Sequence, residues 1–352
     1  MNIYTDFIYK YKKLLFVFLI LYTIFSVFGI LKLQLNTDFA LFSTNDSVYE
    51  RRITDLEETF GTLNQIILLV EHDEFNDAIF SDLYDIQRSL ENVDNVTQIQ
   101  GVAPETIMVA GAPMNSTDVS SAQLLNYFSS FQQFSPLIEV DGVYYSSFTI
   151  FIGDDFNQVE IREIEDILAQ YDYNNYISGD TYNQSKITDY IIKILLILPP
   201  LALLTILLVF RWQMGAFKPT LLSVLPAGIG SLWTLGIVGW LGNEVSMLTA
   251  VVPIFIIVIG SADGLHFMSH FQDSKIEGLD NKEALNKTLK IVGIPMIVTT
   301  LTSMAGFLSL LSMSTSSVID LAIFSALGIL LAGVATWYVL PLVLSNNICF
   351  TF

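Results

Sequence analysis

The sequence predicts an α-helical membrane protein with six transmembrane helices and an extracytoplasmic α+β domain of the split βαβ type between the first two. Three observations support this fold class. Six apolar runs are long enough to cross a bilayer, acidic charge is confined to one segment, and that segment alternates strand-like and helix-like patterns. Because 52% of the 352 residues are hydrophobic and only 14% are charged, the composition excludes an ordinary soluble globular protein.

The six predicted spans follow from length and hydropathy. A helix needs about 20 mostly apolar residues to cross a hydrocarbon layer of about 30 Å. Six stretches meet this requirement, at 14–31, 187–210, 220–241, 247–270, 291–311 and 318–344. The first resembles a signal peptide, but its apolar run is too long and no A-x-A cleavage site follows, so we interpret it as a retained anchor. The predicted organisation is therefore 1–32, 33–185, 186–345 and a tail at 346–352.

The orientation of the spans follows from the positions of Lys and Arg, which are enriched in short cytoplasmic loops. Cations collect before the first span, in the turn 211–218 and in the connection 275–290, whereas 242–246 and 312–317 contain none. This pattern predicts a multi-pass protein of the cytoplasmic membrane, with both termini in the cytoplasm and the large inserted segment outside.

The inserted segment carries the acidity of the chain. Between residues 33 and 185 there are 26 Asp and Glu against four Arg and no Lys, within a chain of net charge −19. Such a surface repels nucleic acid, which we exclude as a partner. The only cysteine, Cys349, lies near the end of the sequence, so no intramolecular disulfide is available and the segment must fold around its own core.

About 150 residues is too long for a connector, and the pattern of the segment predicts a domain. Apolar spacing and turn signals predict a split βαβ sandwich with helices on one face. The predicted helices lie at 45–60, 76–93, 120–131 and 158–171, and the predicted strands at 64–71, 96–102, 137–140, 143–152 and 176–179, with a hairpin turn at Asp141-Gly142.

Span four contains the residue that points most directly to chemistry, Asp263. A carboxylate within a membrane span is unfavourable unless it is protonated, paired or beside water, and it indicates an ion or proton pathway by default. Gly260 and Gly264 flank it at a spacing that lets neighbouring helices approach. His266 and His270 follow at i+3 and i+7, so they are candidates to continue a proton relay along the same helix face.

Two other interpretations of this cluster stay open. Asp263 and the histidines could serve structure alone, or the D-x-x-H-x-x-x-H spacing could hold a metal, although no HExxH motif or cysteine cluster supports a metal site. We predict no metal and no cofactor. Span five carries a run of hydroxyls at 298–307, from which Thr300 and Ser303 are candidate hydrogen-bond partners of Asp263 if the two spans are adjacent; the alternative is packing alone.

Together these motifs resemble the RND superfamily, with its MMPL-like, hopanoid-exporter-like and Patched-like branches closest. They are Asn36-Thr37-Asp38-Phe39 after the first span, the glycines around Asp263, and the run GIPMIVTTLTSMAGFLSL at 293–310. The five clustered spans also resemble a sterol-sensing domain. The resemblance implies a porter-like outer domain, a proton-relay role for Asp263, and export of lipids, drugs or other amphipaths driven by proton flow.

The sequence departs from that family in two respects. Members usually have two such halves and twelve spans, whereas the Asp263 motif occurs once here, so the expected partner is a second copy or a second half of a longer protein. Gly264 also stands where mycobacterial-type members often have Tyr. The other expected partners are membrane lipids and a hydrophobic, lipid-like substrate.

Two alternative functions remain. An accessory subunit of protein translocation, of the SecD or SecF type, shares the six-span plan, but its V-D-A-N-V signature is not seen here. A lipid-sensing or receptor protein would keep the fold without proton-driven transport. An enzyme is not expected, because no nucleophile-base pair is evident in the sequence.

Overall fold

A computed structural model describes residues 2–37, 52, 64–109, 111–130, 135–153 and 155–345. The chain divides into two compact units. The first, Met1–Ser47 with Thr188–Phe352, is called the membrane unit below, and the second, Val48–Ile187, is called the insert domain.

Nine α-helices and nine strands lie in the described residues. The helices are α1 Asn2–Ile30, α2 Asp77–Glu91, α3 Ser121–Ser129, α4 Gln158–Leu168, α5 Asp180–Met214, α6 Phe217–Trp240, α7 Val252–Ile276, α8 Asn281–Leu308 and α9 Ser316–Ser345. The strands are β1 Gln34–Leu35, β2 Gln65–His72, β3 Val96–Gly101, β4 Thr106–Val109, β5 Ala112–Asn115, β6 Leu137–Val140, β7 Val143–Ile152, β8 Asn174–Ser178 and β9 Glu244–Val245.

Six of these helices are long and apolar enough to cross a membrane, which confirms the prediction of a helical membrane protein. The helices extend beyond several predicted spans: α1 begins at Asn2 rather than residue 14, and α5 begins at Asp180 rather than residue 187. The difference is physical, because helical hydrogen bonding continues into polar flanks that hydropathy does not count. Helical geometry in α1 is interrupted at Tyr11, where φ is −110° and ψ is 15°.

Helix α6 lies at the centre of the membrane unit, where it packs against α1, α7 and α9. Helix α8 packs against α7 and α9. One apolar core joins the ends of α7, α8 and α9 through Phe267, Phe271, Leu285 and Leu340. This arrangement holds α7 and α8 side by side and fixes the side chains that face each other across their contact.

The membrane unit also has polar links between helices. Trp233 of α6 donates its indole N–H to Thr23 Oγ1 of α1 at 3.1 Å, and its ring meets Tyr22 edge-on at a centroid distance of 4.9 Å. Beyond the end of α6, the short strands β1 and β9 pair in parallel, with Gln34 opposite Glu244. These links anchor α1 along the side of α6.

The insert domain is built on a sheet with the strand order β3-β7-β2-β8, and β6 also pairs with β7. All of these pairs are antiparallel, and β2 runs against β7 from Gln65↔Phe151 to His72↔Tyr144. The order β-α-β-β-α-β along the chain, with this sheet order, is that of a split βαβ sandwich. Helices α2 and α4 bury apolar residues such as Leu83, Ile86 and Ile164 in the domain core.

The ends of these helices are fixed by side-chain caps. The Asn76 side chain accepts from the N–H of Ile79 at 3.0 Å before α2. Asn157 and Glu160 form a capping box before α4, which satisfies N–H groups that no carbonyl within the helix reaches. Helix α2 is therefore capped by Asn76, the residue at which the predicted helix 76–93 begins.

Three features of the insert domain differ from the sequence prediction. The stretch after β3, which sequence patterns left irregular, contains the hairpin β4-β5, whose turn has Gly111 at φ +86°. Glycine has no Cβ and adopts such a φ without strain. Helix α4 ends at Leu168 rather than at residue 171, and β8 begins at Asn174 rather than at residue 176. The predicted helix 45–60 lies outside the described residues.

Candidate functional site

Asp263 lies in the middle of α7, at its contact with α8. One face of α7 is fully buried, with Phe267 and Met268 at 0% exposure, and this burial fixes the rotation of the helix. Asp263 is therefore held at the flank of the exposed face, partly buried. Its Oδ1 accepts a hydrogen bond from Thr299 Oγ1 of α8 at 3.2 Å.

The Thr299 hydroxyl has two acceptors within reach. Its Oγ1 lies 3.2 Å from Asp263 Oδ1 and 2.9 Å from the carbonyl oxygen of Met296. A hydroxyl carries a single proton, so the proton is shared between, or alternates between, the carboxylate and the carbonyl. Asp263 thus has a polar neighbour from an adjoining helix, and the strength of that bond changes with the charge on the carboxyl group.

The predicted partners in span five lie close to this bond. Thr300 Oγ1 donates to the carbonyl oxygen of Met296 at 2.8 Å, and its side chain lies against Gly333 of α9. Ser303 lies one turn beyond Thr299 on the same face of α8 and is partly buried. The hydroxyl run at 298–307 was therefore the right signal. Thr300 lies near enough to interact with Asp263, but the hydrogen bond to Oδ1 comes from Thr299, which the sequence reasoning did not single out.

The two predicted glycines let the helices approach closely beside Asp263. A Cβ at Gly264 would lie 1.9 Å from the backbone oxygen of Ser223 in α6. A Cβ at Gly260 would lie 2.8 Å from Cβ of Ala332 in α9. Both distances are below any real Cβ contact, so α7 can pack at this depth only with glycine at these positions. Both glycines lie on the buried side of α7, and their contacts fix the position of Asp263 relative to α6 and α9.

The two histidines follow Asp263 along α7. His266 is exposed and lies near enough to interact electrostatically with Asp263, whereas His270 is partly buried one turn further on. Asp263 and His270 are separated by seven residues, or about 10 Å along the helix axis. Among the described residues, no group of three or more His, Cys, Asp or Glu side chains stands close enough to hold a metal ion.

A polar strip follows the exposed side of the contact between α7 and α8. Next to Asp263, it contains His266 from α7 together with Thr299 and Thr302 from α8, all exposed on the membrane unit. Their apolar neighbour Val298 is 52% exposed. Polar and ionisable groups inside a bilayer normally face protein or a water-filled space, so this strip does not have the composition of a surface that faces lipid.

The sequence reasoning missed a carboxylate near the end of a predicted span. Asp320 lies in the second turn of α9 and is partly buried. It falls within the predicted span 318–344, so the signal was present in the sequence, but an acid so near the end of a span is a weaker sign of function than one at its middle. No hydrogen bond joins Asp320 to Asp263 among the described residues, and the two acids form separate sites.

An apolar cavity on the membrane unit lies between α5, α6 and α7. Its volume is about 490 Å³. Both consecutive prolines of α5, Pro199 and Pro200, line it together with Leu225 of α6 and Ile257 of α7. Proline in a helix interior removes a ladder hydrogen bond, and in this case both prolines face the cavity. It is large enough for part of a lipid-sized molecule.

Comparison with known proteins places these helices in a family. Residues 192–345, which run from within α5 to the end of α9, match the family model of Patched, described as the Patched SSD, the sterol-sensing domain. This part of the chain is a Patched-like domain of the RND type. The match includes Asp263, Thr299 and both glycines, and it confirms the resemblance that the sequence motifs indicated.

One curated relative also matches the chain. It is a membrane protein of Methanocaldococcus jannaschii, 27% identical over 139 residues. The alignment covers 40% of this chain and 35% of that relative, so the chain matches about a third of the relative's length. The Patched-like domain is shown for residues 192–345, and the activity of the whole protein is a separate question.

Proposed function

We propose that this protein exports hydrophobic or amphipathic molecules, lipids or drugs, out of the cytoplasmic membrane, and that proton flow through Asp263 drives the export. The observation that carries the proposal is the carboxylate held between α7 and α8 by the Thr299 hydroxyl. A carboxylate with one adjustable hydrogen bond and an open polar side can take up and release a proton. His266 and His270 continue the polar path along α7.

The energetics are sufficient for such a cycle. One elementary charge that moves through a membrane potential of 100 mV releases about 2.3 kcal/mol. A ligand or charge that prefers one of two conformations shifts their populations by its difference in free energy, and 2.3 kcal/mol changes a population ratio about fiftyfold. The close glycine contacts of α7 with α6 and α9 transmit a movement of Asp263 directly to the helices beside it.

The orientation follows the charge distribution. Basic loops are enriched in the cytoplasm, and this supports a topology with both termini inside and the acidic insert domain outside. A proton from outside would then reach Asp263 through the membrane unit and leave past His266 and His270. Proton entry and substrate release would be on the same side, as antiport requires.

A second six-span unit completes this proposal. His266, Thr299 and Thr302 are exposed beside Asp263, and exposure of such groups to hydrocarbon is unfavourable. We therefore assign this polar strip to contact with a second copy of the chain or with a second half of a longer protein. The acidic insert domain argues against nucleic acid as a further partner.

The second candidate function is lipid sensing without proton-driven transport. It is favoured by the cavity between α5, α6 and α7, since an apolar cavity of about 490 Å³ can hold a lipid whether or not the protein pumps it. A passive sensor has no need of Asp263. Substitution of this residue therefore separates the two candidates.

The test compares export in cells that produce the wild-type chain, Asp263→Asn or Asp320→Asn at equal protein levels. The readout is protonophore-sensitive efflux of a hydrophobic fluorescent dye and of a radiolabelled membrane lipid. We expect Asp263→Asn to lower the rate by at least about tenfold, or 1.4 kcal/mol, and Asp320→Asn to leave most of it. Unchanged, protonophore-sensitive export by Asp263→Asn would remove the mechanism.

A further inference from the structure

A second apolar groove lies on the opposite side of α8 from Asp263, between α8 and α9, and its volume is about 360 Å³. We call it the α8–α9 groove. The groove is lined by Ile297 and Leu301 of α8 and by Leu330, Val334 and Trp337 of α9. Tyr4, from the segment of α1 before Tyr11, also lines it.

One end of the groove carries an unused hydrogen-bond donor. Trp337 Nε1 is buried and has no hydrogen-bond partner among the described residues. The two tyrosine hydroxyls nearby are already occupied, since Tyr4 donates to the carbonyl oxygen of Trp337 at 2.5 Å and Tyr338 donates to that of Leu15 at 2.6 Å. A buried donor without an acceptor is unfavourable, so a rotation of Trp337 that brought its N–H to an acceptor on a bound molecule would be stabilising.

A cation lies on the same face of α8, beyond that end of the groove. Lys290, Ile294, Ile297 and Leu301 follow each other at helical spacing and are all exposed, so they form one stripe. Lys290 lies two turns before Ile297, or about 10 Å along the axis. The described residues include no ion pair for it, whereas Lys282 pairs with Asp6 and Lys287 with Glu277.

Lys290 and Trp337 belong to the same side of the membrane unit. Asn286, one turn before Lys290, donates to Asn2 Oδ1 at 2.5 Å, and Tyr4, half a turn after Asn2, contacts Trp337. The start of α1 therefore links the start of α8 to the last turns of α9. At this side Lys290 lies beyond the end of the groove, and the groove continues toward the bilayer centre between apolar side chains.

The inner end of the groove lies beside the proposed proton site. Thr300 lines the groove, and a Cβ at Gly333 would lie 2.8 Å from Thr300 Oγ1, so α8 and α9 touch there. The preceding residue, Thr299, donates to Asp263 on the other side of α8. A molecule in the groove would therefore contact the turn of α8 that holds the carboxylate.

We propose that the α8–α9 groove binds one anionic phospholipid, with an acyl chain between α8 and α9 and its phosphate beside Lys290. The apolar lining suits the chain, and the charge-assisted contacts suit a phosphate. Binding itself does not depend on transport. A further consequence, that the lipid steadies α8 beside Asp263, does rest on the proposed function.

Native mass spectrometry of the purified full-length chain tests the site. The protein is mixed with equal amounts of phosphatidylglycerol and phosphatidylcholine that carry the same acyl chains. We expect retention of one phosphatidylglycerol with a preference of about fivefold, the effect of one lysine near an anionic headgroup. Lys290→Gln should remove the preference, and equal retention of both lipids by the wild-type chain would overturn the proposal.

A pair of bulky substitutions separates the groove from lipid contact in general. Val334→Phe fills the groove, whereas Val298→Phe adds the same bulk at a position of similar exposure, 52% against 48%, outside the groove. We expect only Val334→Phe to lose the bound lipid, and Leu330→Phe repeats the test if Val334→Phe fails to fold. Equal retention by the groove and control variants would overturn the site.

Asp263→Asn distinguishes this inference from the proposed function. The variant leaves both Lys290 and Trp337 intact, so it should keep the phosphatidylglycerol preference even when export is lost. If export survives Asp263→Asn while the lipid preference follows Lys290, the lipid site stands and the proton mechanism falls. Loss of the preference in Asp263→Asn would contradict a groove that binds lipid independently of the carboxyl group.

Discussion

Gly264 lies where α7 meets α6, one residue after the proposed proton carrier. In Gly264→Ala the new Cβ would lie 1.9 Å from the Ser223 carbonyl oxygen, whereas ordinary contact begins at 3.4 Å. The helices must therefore part by roughly 1.5 Å, the difference between these two distances. Overpacking of this kind costs about 1–3 kcal/mol. Because the obstacle is backbone, no side-chain rotation relieves it.

Gly306→Ala is the matched control, since no atom lies within 4 Å of the position its Cβ would take. Both substitutions replace glycine within an apolar helix and gain the same helix propensity, about 1 kcal/mol, which cancels in the comparison. The expected difference in unfolding free energy is about 1–3 kcal/mol, and each kcal/mol corresponds to about 2–4 °C for a unit of this size.

The assay is thermal unfolding of both variants in the same detergent, followed by tryptophan fluorescence, together with export by each. Gly264→Ala should unfold at a lower temperature than Gly306→Ala and export more slowly, because the displaced α7 carries Asp263 with it. Equal unfolding temperatures would refute the close contact of α6 and α7. A lower unfolding temperature of Gly264→Ala with unchanged export would refute the importance of this contact for the site.

Three other predictions concern separate parts of the molecule. Thr299→Val removes a donor to Asp263 and should slow proton-coupled export about tenfold, since a hydrogen bond to a charged group contributes about 1.5–3 kcal/mol. Thr288→Val, on the same helix, is the control, because the Thr288 hydroxyl donates to the carbonyl oxygen of Ala284. Equal effects of the two substitutions would contradict the assignment. Burial lowers the pKa of His72 in the insert domain below its usual 6.5, so the unfolded chain binds a proton first as pH falls. The free energy of unfolding of the insert domain should therefore be highest above about pH 6.5 and decrease below it. Pulse proteolysis of the full chain at a series of pH values should show this decrease, and His72→Gln should remove it. The same decrease in both chains would exclude His72 as its source. Asp280→Ala removes the side-chain acceptor that lies 2.7 Å from the backbone nitrogen of Glu283 at the start of α8. It should lower the free energy of unfolding by about 0.5–2 kcal/mol, which would appear as a lower unfolding temperature. An unchanged unfolding temperature would show that the cap contributes nothing measurable.

The sequence predicted the helices well because apolar length is a direct requirement of the bilayer. Every predicted span lies largely within an observed helix, and the ends differ where α1 and α5 continue into polar flanks. The insert domain was predicted less completely. The hairpin β4-β5 was missed because its strands, such as Thr106–Val109, are short and only Ile107 is fully buried in that strand, so neither periodicity nor length marks them.

The candidate site was predicted in position but only in part in its hydrogen bonding. An acid in an apolar helix stands out by composition, so Asp263 could be found from one sequence. Which of Thr299, Thr300 and Ser303 reaches it depends on the rotation of α8, and three neighbouring hydroxyls fit the same pattern. The rotation is set by the packing of α8 against α7 and α9, and packing is long-range information that a local motif lacks.

The sequence also predicted only part of what the glycines do. Gly260 and Gly264 were expected to permit close approach of helices, but the sequence does not tell which helices approach. The structure assigns Gly264 to α6 and Gly260 mainly to α9. The same limit applies to Gly333, whose contact with Thr300 closes the inner end of the α8–α9 groove, because contacts between distant positions leave no local pattern.

Proton uptake by purified protein tests the central claim most directly. The chain is reconstituted in vesicles that contain a pH-sensitive dye, with a membrane potential imposed by potassium and valinomycin and a hydrophobic substrate added. The account predicts substrate-dependent acidification by the wild-type chain and Asp320→Asn, and none by Asp263→Asn. Equal proton flux through the wild-type chain and Asp263→Asn would contradict it.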